Sequence, residues 1–377
     1  MMQPIKMVDL HGLYLRIKPE IDQAIQGVLD STDFIQGGAV KEFEKALAHY
    51  QGGPHVISCG NGTDALQIAM MALDFKSGDE VILPVHTYVA TAEVIALLKL
   101  VPVFADVDES NFTLDVSKVE RLITKKTVAI VPVHLYGQCA EMEPVIALAK
   151  KYNFHVIEDA AQSLGADYIF QDGSRKKAGT LGIIGSTSFF PSKNLGAFGD
   201  GGALFTKDPV LAEKIRMTAN HGQKKKYHHD VIGVNSRLDT LQASILNVKL
   251  AYLDQYAQRR SSVADYYDAN LKGVSFIKTP KRVSYSTHVF HQYTVMVDAA
   301  DRDKLKTYLQ EKNIPTMIYY PIPLHLQKAY RKEGFGPGSF PVSERLCDTV
   351  LSLPIHTEME KDQLSYICES IKSFQQQ

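Results

Sequence analysis

Cysteine is scarce: four occur in 377 residues, at positions 59, 139, 347 and 368. They lie too far apart for a CxxC, and HExxH is missing too, so a disulfide framework and a structural zinc site are not expected. Charge of one sign is also lacking. The 41 Lys and Arg face 42 Asp and Glu, for a formal net charge of −1, and no long-range field draws the chain toward nucleic acid or anionic lipid. No apolar run approaches the ~20 residues of a membrane helix. The opening MMQPIKMVDLHGLYLRIKPE has no apolar signal-peptide core, and repeats, low-complexity tracts and Pro/Ser-rich linkers are absent. A cytoplasmic enzyme with neither membrane nor nucleic acid as partner is the expectation. What is present is ordinary for a folded globular protein: 45% apolar and 22% charged residues, in a length that suits two or three folding units or one large core with a smaller attached domain.

Short apolar runs alternate with helical patterns over the first half. Ile17, Ile21, Ile25, Val28 and Leu29 recur at helical spacing. Strands are predicted over 55–59, 80–83, 101–105, 128–133, 154–158, 186–190 and 202–206, and helices over 63–73, 90–100 and 142–152. Such alternation implies an α/β fold with a mostly parallel sheet covered on both faces, in which ligands bind beyond the carboxyl ends of the strands. After about residue 250 the pattern changes. A long helical stretch, straight or bent, covers 238–267, a strand 288–297, and helices 301–312, 343–351 and 361–374. This mixture suggests a smaller α+β domain, hence a large domain over 1–250 and a small one over 251–377, divided within the long helix.

Four segments hold residues of chemical interest. In STSFFPSKNLGAFGDGGALFT, Lys193 follows an apolar strand and Gly196, Gly199, Gly201 and Gly202 crowd the residues after it. Glycine permits close backbone approach to a ligand, and an amine held there away from bulk water stays partly neutral and nucleophilic. A surface lysine in a Gly-rich turn is the plainer alternative. In FHVIEDAAQSLGA, Asp159 ends an apolar strand, where a carboxylate can pair with a buried cation such as a protonated pyridine nitrogen or cap a helix. In SCGNGTDALQIAMMAL, a Gly60-Asn61-Gly62-Thr63 turn leads into a helix whose first N–H groups and dipole favour a phosphate, unless Thr63 or Asp64 simply caps it. The turn matches neither GxGxxG nor the P-loop motif. In LPVHTYVATA, Tyr88 stands between strand and helix, where its ring could cover a flat ligand or merely pack. Phosphate cradle, aromatic lid, strand-end acid and Gly-flanked lysine are the four parts needed to hold pyridoxal phosphate.

In that order the motifs resemble those of the DegT/StrS-type sugar-nucleotide aminotransferases, which have the aspartate-aminotransferase fold (PLP fold type I). The resemblance runs nearly the whole length, through FIQGGAVKEFEKALAHY, GNGTDAL, GDEVILPVHTYVATA, VPVFADVD, VPVHLYGQCAEM, VIEDAAQSLGA, TSFFPSKNLGAFGDGGAL, GVNSRLDTLQASIL and YYPIPLHLQKAY. It implies that Lys193 carries pyridoxal 5′-phosphate as a Schiff base, that Asp159 keeps the pyridine nitrogen protonated, and that Gln162 lies near the phenolic oxygen. Gly62, Thr63 and Ser188 would bind the phosphate and Tyr88 would stack on the ring. Asn235 would reach the phosphate of a neighbouring subunit, which implies a homodimer with shared active sites. Arg237 would meet the sugar or its diphosphate, or form an interface ion pair. Tyr319, Tyr320 and His325 would shape the sugar pocket, or pack the small domain on the large one.

The implied reaction moves an amino group from L-glutamate to a nucleotide-linked keto sugar. Related dehydratases have histidine in place of the lysine, so Lys193 favours transamination. Phe190 and Asp200 stand where C4-aminating relatives more often have histidine and glutamate, which favours C3. The motifs look most like those of enzymes acting on UDP-linked 2-acetamido-3-keto hexoses or hexuronic acids, as in lipopolysaccharide or glycan biosynthesis. A dTDP-3-keto-6-deoxyhexose aminotransferase, a C4-aminating relative and a non-catalytic PLP-binding regulatory protein are the alternatives. Lys224–Lys226 with His228 and His229 could meet a diphosphate or carboxylate, or form a solvated basic loop; no metal is expected there.

Overall fold

A computed structural model describes residues 3–331 and 334–374, so the ends of the two expected domains, 1–2 and 375–377, lie outside the described residues. Seven strands form the main sheet: β1 (His55–Cys59), β2 (Glu80–Pro84), β3 (Val101–Ala105), β4 (Thr127–Ile130), β5 (His155–Asp159), β6 (Ile184–Ser188) and β7 (Gly202–Thr206). Their order is β1-β7-β6-β5-β4-β2-β3. Val81, Ile82 and Leu83 are completely buried, as are Ala129, Ile130 and Val131. Such unbroken apolar runs belong to strands covered on both faces.

Strands β2 to β6 run parallel, as the alternation predicts. Strand β7 is the exception and pairs antiparallel with both β6 and β1. The reason is the connection: 189–201, which carries Lys193, contains no helix and returns directly, whereas a parallel partner needs a crossover. The ends of β5 at Asp159 and β6 at Ser188, and the turn after β1, therefore open on the same edge of the sheet.

Helix Gly62–Ala72 buries Ala65, Leu66, Ile68, Ala69, Met70 and Ala72. Two further helices, Gly38–Tyr50 and Pro209–Ala219, fall outside the predicted set. The long helical stretch is two helices, Thr240–Leu250 and Leu253–Leu271, broken at Ala251–Tyr252.

A second core gathers residues from Val263 to Ile371 around an antiparallel sheet of β8 (Ile277–Lys278), β9 (Tyr293–Val297) and β10 (Val350–Leu353). Here the helix predicted over 343–351 is corrected. It runs Pro341–Thr349 and passes without a loop into β10, because Val350–Leu353 is buried throughout and pairs with β9. Of the strand predicted over 288–297, only Tyr293–Val297 is extended in the sheet; before it the His288 and Phe290 rings stack 3.8 Å apart. All four cysteines are buried and unpaired. Among the described residues no helix is long and apolar enough to cross a membrane.

Candidate active site

Asp159 ends β5 with its carboxylate buried. Thr91, from helix Ala90–Leu97, donates to its Oδ2 at 2.8 Å, and the Ala161 N–H donates to Oδ1 at 3.2 Å. No helix starts here, so the capping alternative does not apply. Each carboxylate oxygen keeps a lone pair for a further donor.

Lys193 sits in the turn after Pro191, its N–H bonded to the Phe190 carbonyl at 2.8 Å. The residue as a whole is partly exposed. Burial of its amine pushes the pKa down to about 8, while the nearby Asp159 carboxylate holds it up in part. The amine is therefore substantially neutral in mildly basic solution. His291 lies within electrostatic reach of Lys193, and its burial together with that cation drives its own pKa well below the usual imidazole range.

The helix that begins at Gly62 is capped by Asn61, whose side chain accepts from the Asp64 N–H at 2.8 Å, so neither Thr63 nor Asp64 is the cap. The leading amides of Gly62 and Thr63 belong to the set that a helix N-terminus leaves without intrahelical partners. A Cβ on Gly62 would lie 2.7 Å from the Ser188 Cβ, and one on Gly202 would lie 2.4 Å from the Asn61 carbonyl oxygen. Only glycine permits these approaches, which bring the end of β6, the start of β7 and the Gly62 turn into direct contact. Gln162 accepts from the Tyr136 N–H at 2.7 Å through Oε1 and donates through Nε2 to the Tyr320 hydroxyl at 3.3 Å. The Tyr320 ring lies 6.1 Å from that of Tyr88, which is 56% exposed.

Two groups of predicted residues thus converge: Asp159, Lys193, Gln162, Tyr88 and Tyr320 in one, Gly62, Thr63 and Ser188 in the other. Tyr319 adjoins Tyr320, the two rings edge to face at 5.9 Å. Asn235 is exposed beside the Gly60–Asp64 turn, to which Ser236 ties it by accepting from the Gly60 N–H at 2.9 Å and donating to Asp64. Arg237 makes no ion pair among the described residues and lines a cavity of about 400 Å³ with Lys41, Arg216, Asn220 and Lys224. Lys193 and Asp159 do not line this cavity; the chemistry-bearing groups lie apart from it. Lys224 pairs with Glu213, and His229 bonds the His221 carbonyl at 2.8 Å on an exposed ribbon. His325 is not brought to the site. Its side chain is fully buried, 3.1 Å from Glu344 and packed against Phe340.

Thr91, Tyr136, Ser236 and His291 escaped the sequence reading. Thr91 left one trace, a hydroxyl inside VATAEVIAL, where Glu93 is the only other polar residue. Among the described residues no group of three or more His, Cys, Asp or Glu stands ready to hold a metal ion.

Known proteins resemble the chain over nearly its whole length. Residues 15–372 match the profile of the DegT/DnrJ/EryC1/StrS aminotransferase family. The UDP-2-acetamido-2-deoxy-3-oxo-D-glucuronate aminotransferase of Pseudomonas aeruginosa is 46% identical over 367 residues, covering 97% of this chain and 99% of that protein. A protein named pleiotropic regulatory protein, from Geobacillus stearothermophilus, is 45% identical over 372 residues, 98% of each. The crystal structure of S. venezuelae DesV in complex with a ketimine intermediate superposes with a TM-score of 0.95 at 39% identity, over the full length of both chains. A match this long, on a sheet whose carboxyl edge gathers the expected lysine and aspartate, settles the kinship: the chain belongs to the DegT/DnrJ/EryC1/StrS aminotransferase family.

Proposed function

We propose that the protein is a pyridoxal-phosphate-dependent aminotransferase that transfers an amino group from L-glutamate to C3 of a nucleotide-linked keto sugar, a UDP-2-acetamido-3-keto hexose or hexuronic acid. The observation that carries this reading is Lys193, an amine lowered to about 8 by burial and within electrostatic reach of the Asp159 carboxylate.

The residues present fit the cofactor. The Gly62–Ser188 contact leaves no room for a side chain where helix N–H groups are on offer, which suits a phosphate. Asp159 retains lone pairs for a ring N–H, and Tyr88 offers an exposed face for stacking. Lys193 would hold the cofactor covalently, Asp159 its ring nitrogen, Gln162 its phenolic edge, and Gly62, Thr63 and Ser188 its phosphate. When bound, the cofactor supplies an electron-withdrawing ring that acidifies the proton α to an amino group.

The chain's own residues do the rest. Lys193, near the midpoint of its titration at mildly basic pH, can take up and return a proton as base and then acid. Thr91 and the Ala161 N–H keep the Asp159 carboxylate oriented. Tyr88 and Tyr320 wall the site and limit the access of water.

Phe190, exposed at the turn whose carbonyl receives the Lys193 N–H, supports the C3 reading, as does the oxo-sugar relative. The exposed Asn235 supports a homodimer in which each copy completes the other's phosphate site. Four unpaired, buried cysteines suit a reducing, cytoplasmic setting. We place the division between a large and a small domain at the helix break near 251–252.

A panel of nucleotide 3-keto and 4-keto sugars, UDP- and dTDP-linked, incubated with glutamate and read by mass and NMR, tests the assignment. Amination at C3 of a UDP sugar is expected; activity on 4-keto substrates alone would overturn it. The name of the 45% identical relative favours a second reading, a regulator. A protein whose visible absorption never responds to any amino donor would establish that one.

A further inference from the structure

His86 lies two residues before Tyr88 and is fully buried, with its ring 6.2 Å from that of Tyr320. The protons around it can be assigned in sequence. The Tyr136 hydroxyl donates to the Tyr319 carbonyl, which can only accept. The Tyr136 oxygen is left as acceptor, so His86 Nε2, 3.3 Å away, carries the proton. Burial pushes His86 down to about 4, so the ring is neutral and its Nδ1 is an acceptor. The Cys347 thiol, 3.7 Å from Nδ1, must then donate; burial raises it to about 12, and the proton stays on sulfur. The hydrogen bonds run one way, from Cys347 to His86 to Tyr136 to Tyr319.

Both ends of this chain are anchored. Cys347 lies on helix Pro341–Thr349, which Asp106, the residue after β3, ties to the main sheet. Asp106 accepts from the Val342 N–H at 3.1 Å, the Ser343 N–H at 2.9 Å and the Ser343 hydroxyl at 2.6 Å. At the other end the Tyr136 N–H holds Gln162, which donates to the Tyr320 hydroxyl. Tyr136 therefore grips Tyr319 through its hydroxyl and Tyr320 through Gln162. With its oxygen already accepting, Tyr320 keeps its own proton for another partner.

We propose that Cys347, His86 and Tyr136 are positioning residues, a one-way buried hydrogen-bond chain that fixes Tyr319–Tyr320 and directs the Tyr320 hydroxyl proton to the sugar nucleotide. This deepens the functional reading above and rests on it in taking Tyr320 as substrate-facing. None of the three touches the reacting atoms.

The test combines Cys347→Val, Cys347→Ser, Tyr320→Phe and the Cys347→Val/Tyr320→Phe double variant. Cys347→Val is expected to raise KM for the sugar nucleotide about tenfold, the worth of one lost hydrogen bond, with KM for glutamate unchanged. Cys347→Ser, which keeps a donor, should restore it to within about twofold. In the Tyr320→Phe background Cys347→Val should add nothing, because the two changes act through one contact. Nitrogen-15 NMR of the cofactor-free protein should show His86 neutral with its proton on Nε2, and a mixture of tautomers in Cys347→Val. A proton on Nδ1 in the wild type, or additive effects of Cys347→Val and Tyr320→Phe, overturns the proposal. If no sugar nucleotide is aminated at all, the functional reading fails on its own, and the tautomer still decides whether the chain exists.

Discussion

The Nε2–H of His134 donates to Glu158 at 2.9 Å, and neither side chain reaches solvent. The Ala140 N–H donates to His134 Nδ1 at 3.0 Å, which fixes the imidazole proton on Nε2. Glu158 also accepts from the N–H groups of Gly179 at 2.9 Å and of Leu181 and Gly182 at 2.6 Å each. Side chains alternate along a strand, so this anchor lies on one face of β5 and Asp159 on the other. Glu158 holds the strand; Asp159 is left for chemistry.

Glu158→Gln should therefore be a stability variant. The amide NH2 faces either Leu181 and Gly182 or Gly179 and His134, donor against donor, and the expected loss is about 1–3 kcal/mol for each buried donor left unpaired. Urea unfolding of the cofactor-free protein measures it. A change under about 1 kcal/mol would show that the network is dispensable.

Lys193 should be modified by an amine-reactive reagent in the cofactor-free protein with a midpoint near pH 8, set by its lowered pKa of about 8. Asp159 holds that value up, so Asp159→Asn should move the midpoint further down. An upward move, or a midpoint near the ordinary 10.5 in the wild type, contradicts the burial argument. Lys193→Ala should abolish turnover.

Thr91→Val removes one donor from Asp159 while keeping the side chain's shape. Turnover should fall about five- to tenfold, the scale of one hydrogen bond, with little change in the unfolding midpoint. A wild-type rate would mean that Asp159 is oriented without Thr91.

Lys249 gives a test in pH. Its buried ammonium donates to the Gly196 carbonyl and lies 5.3 Å from the centre of the Phe198 ring. Burial first, and Arg260 second, lower it to about 8 from 10.5. Below pH 8 the folded and unfolded chains both keep the proton, and the folded chain bears the full cost of a buried charge. Between about 8 and 10.5 only the unfolded chain keeps it, so unfolding takes up a proton and this group's contribution to stability rises with pH. The Tm difference between wild type and Lys249→Met should shift in favour of the wild type across that window. A flat difference from pH 7 to 10.5 would refute it.

Much of the sheet was legible because its strands are buried on both faces and read as plain apolar runs. The direction of β7 was not: alternation of runs carries no sense of polarity, and only the missing crossover in 189–201 decides it. Strand β10 was hidden by continuity, since helix Pro341–Thr349 enters it with no turn residue between. Helix Pro209–Ala219 did carry a signal, Asp208 as cap and Pro209 at the first position, as did Gly38–Tyr50 in the spacing of Val40, Phe43 and Leu47. In the site, Lys193, Asp159 and Tyr88 stood out by position at strand ends, whereas Thr91 and Tyr136 matter only through partners dozens of residues away. His325 looked available because it is polar and follows two prolines, yet Glu344, nineteen positions on, takes it into the interior.

The contacts at Gly62 and Gly202 fix more than a loop. At Gly202 backbone meets backbone, and at Gly62 it meets the Cβ of Ser188, whose place no rotamer changes, so the gap between the lysine turn and the mouth of helix Gly62–Ala72 behaves as a rigid gauge. Changes in what the enzyme accepts must then come from side chains that project past this gauge, such as Phe190 and Tyr320, and selection can rewrite them without disturbing the spacing between the two anchor points.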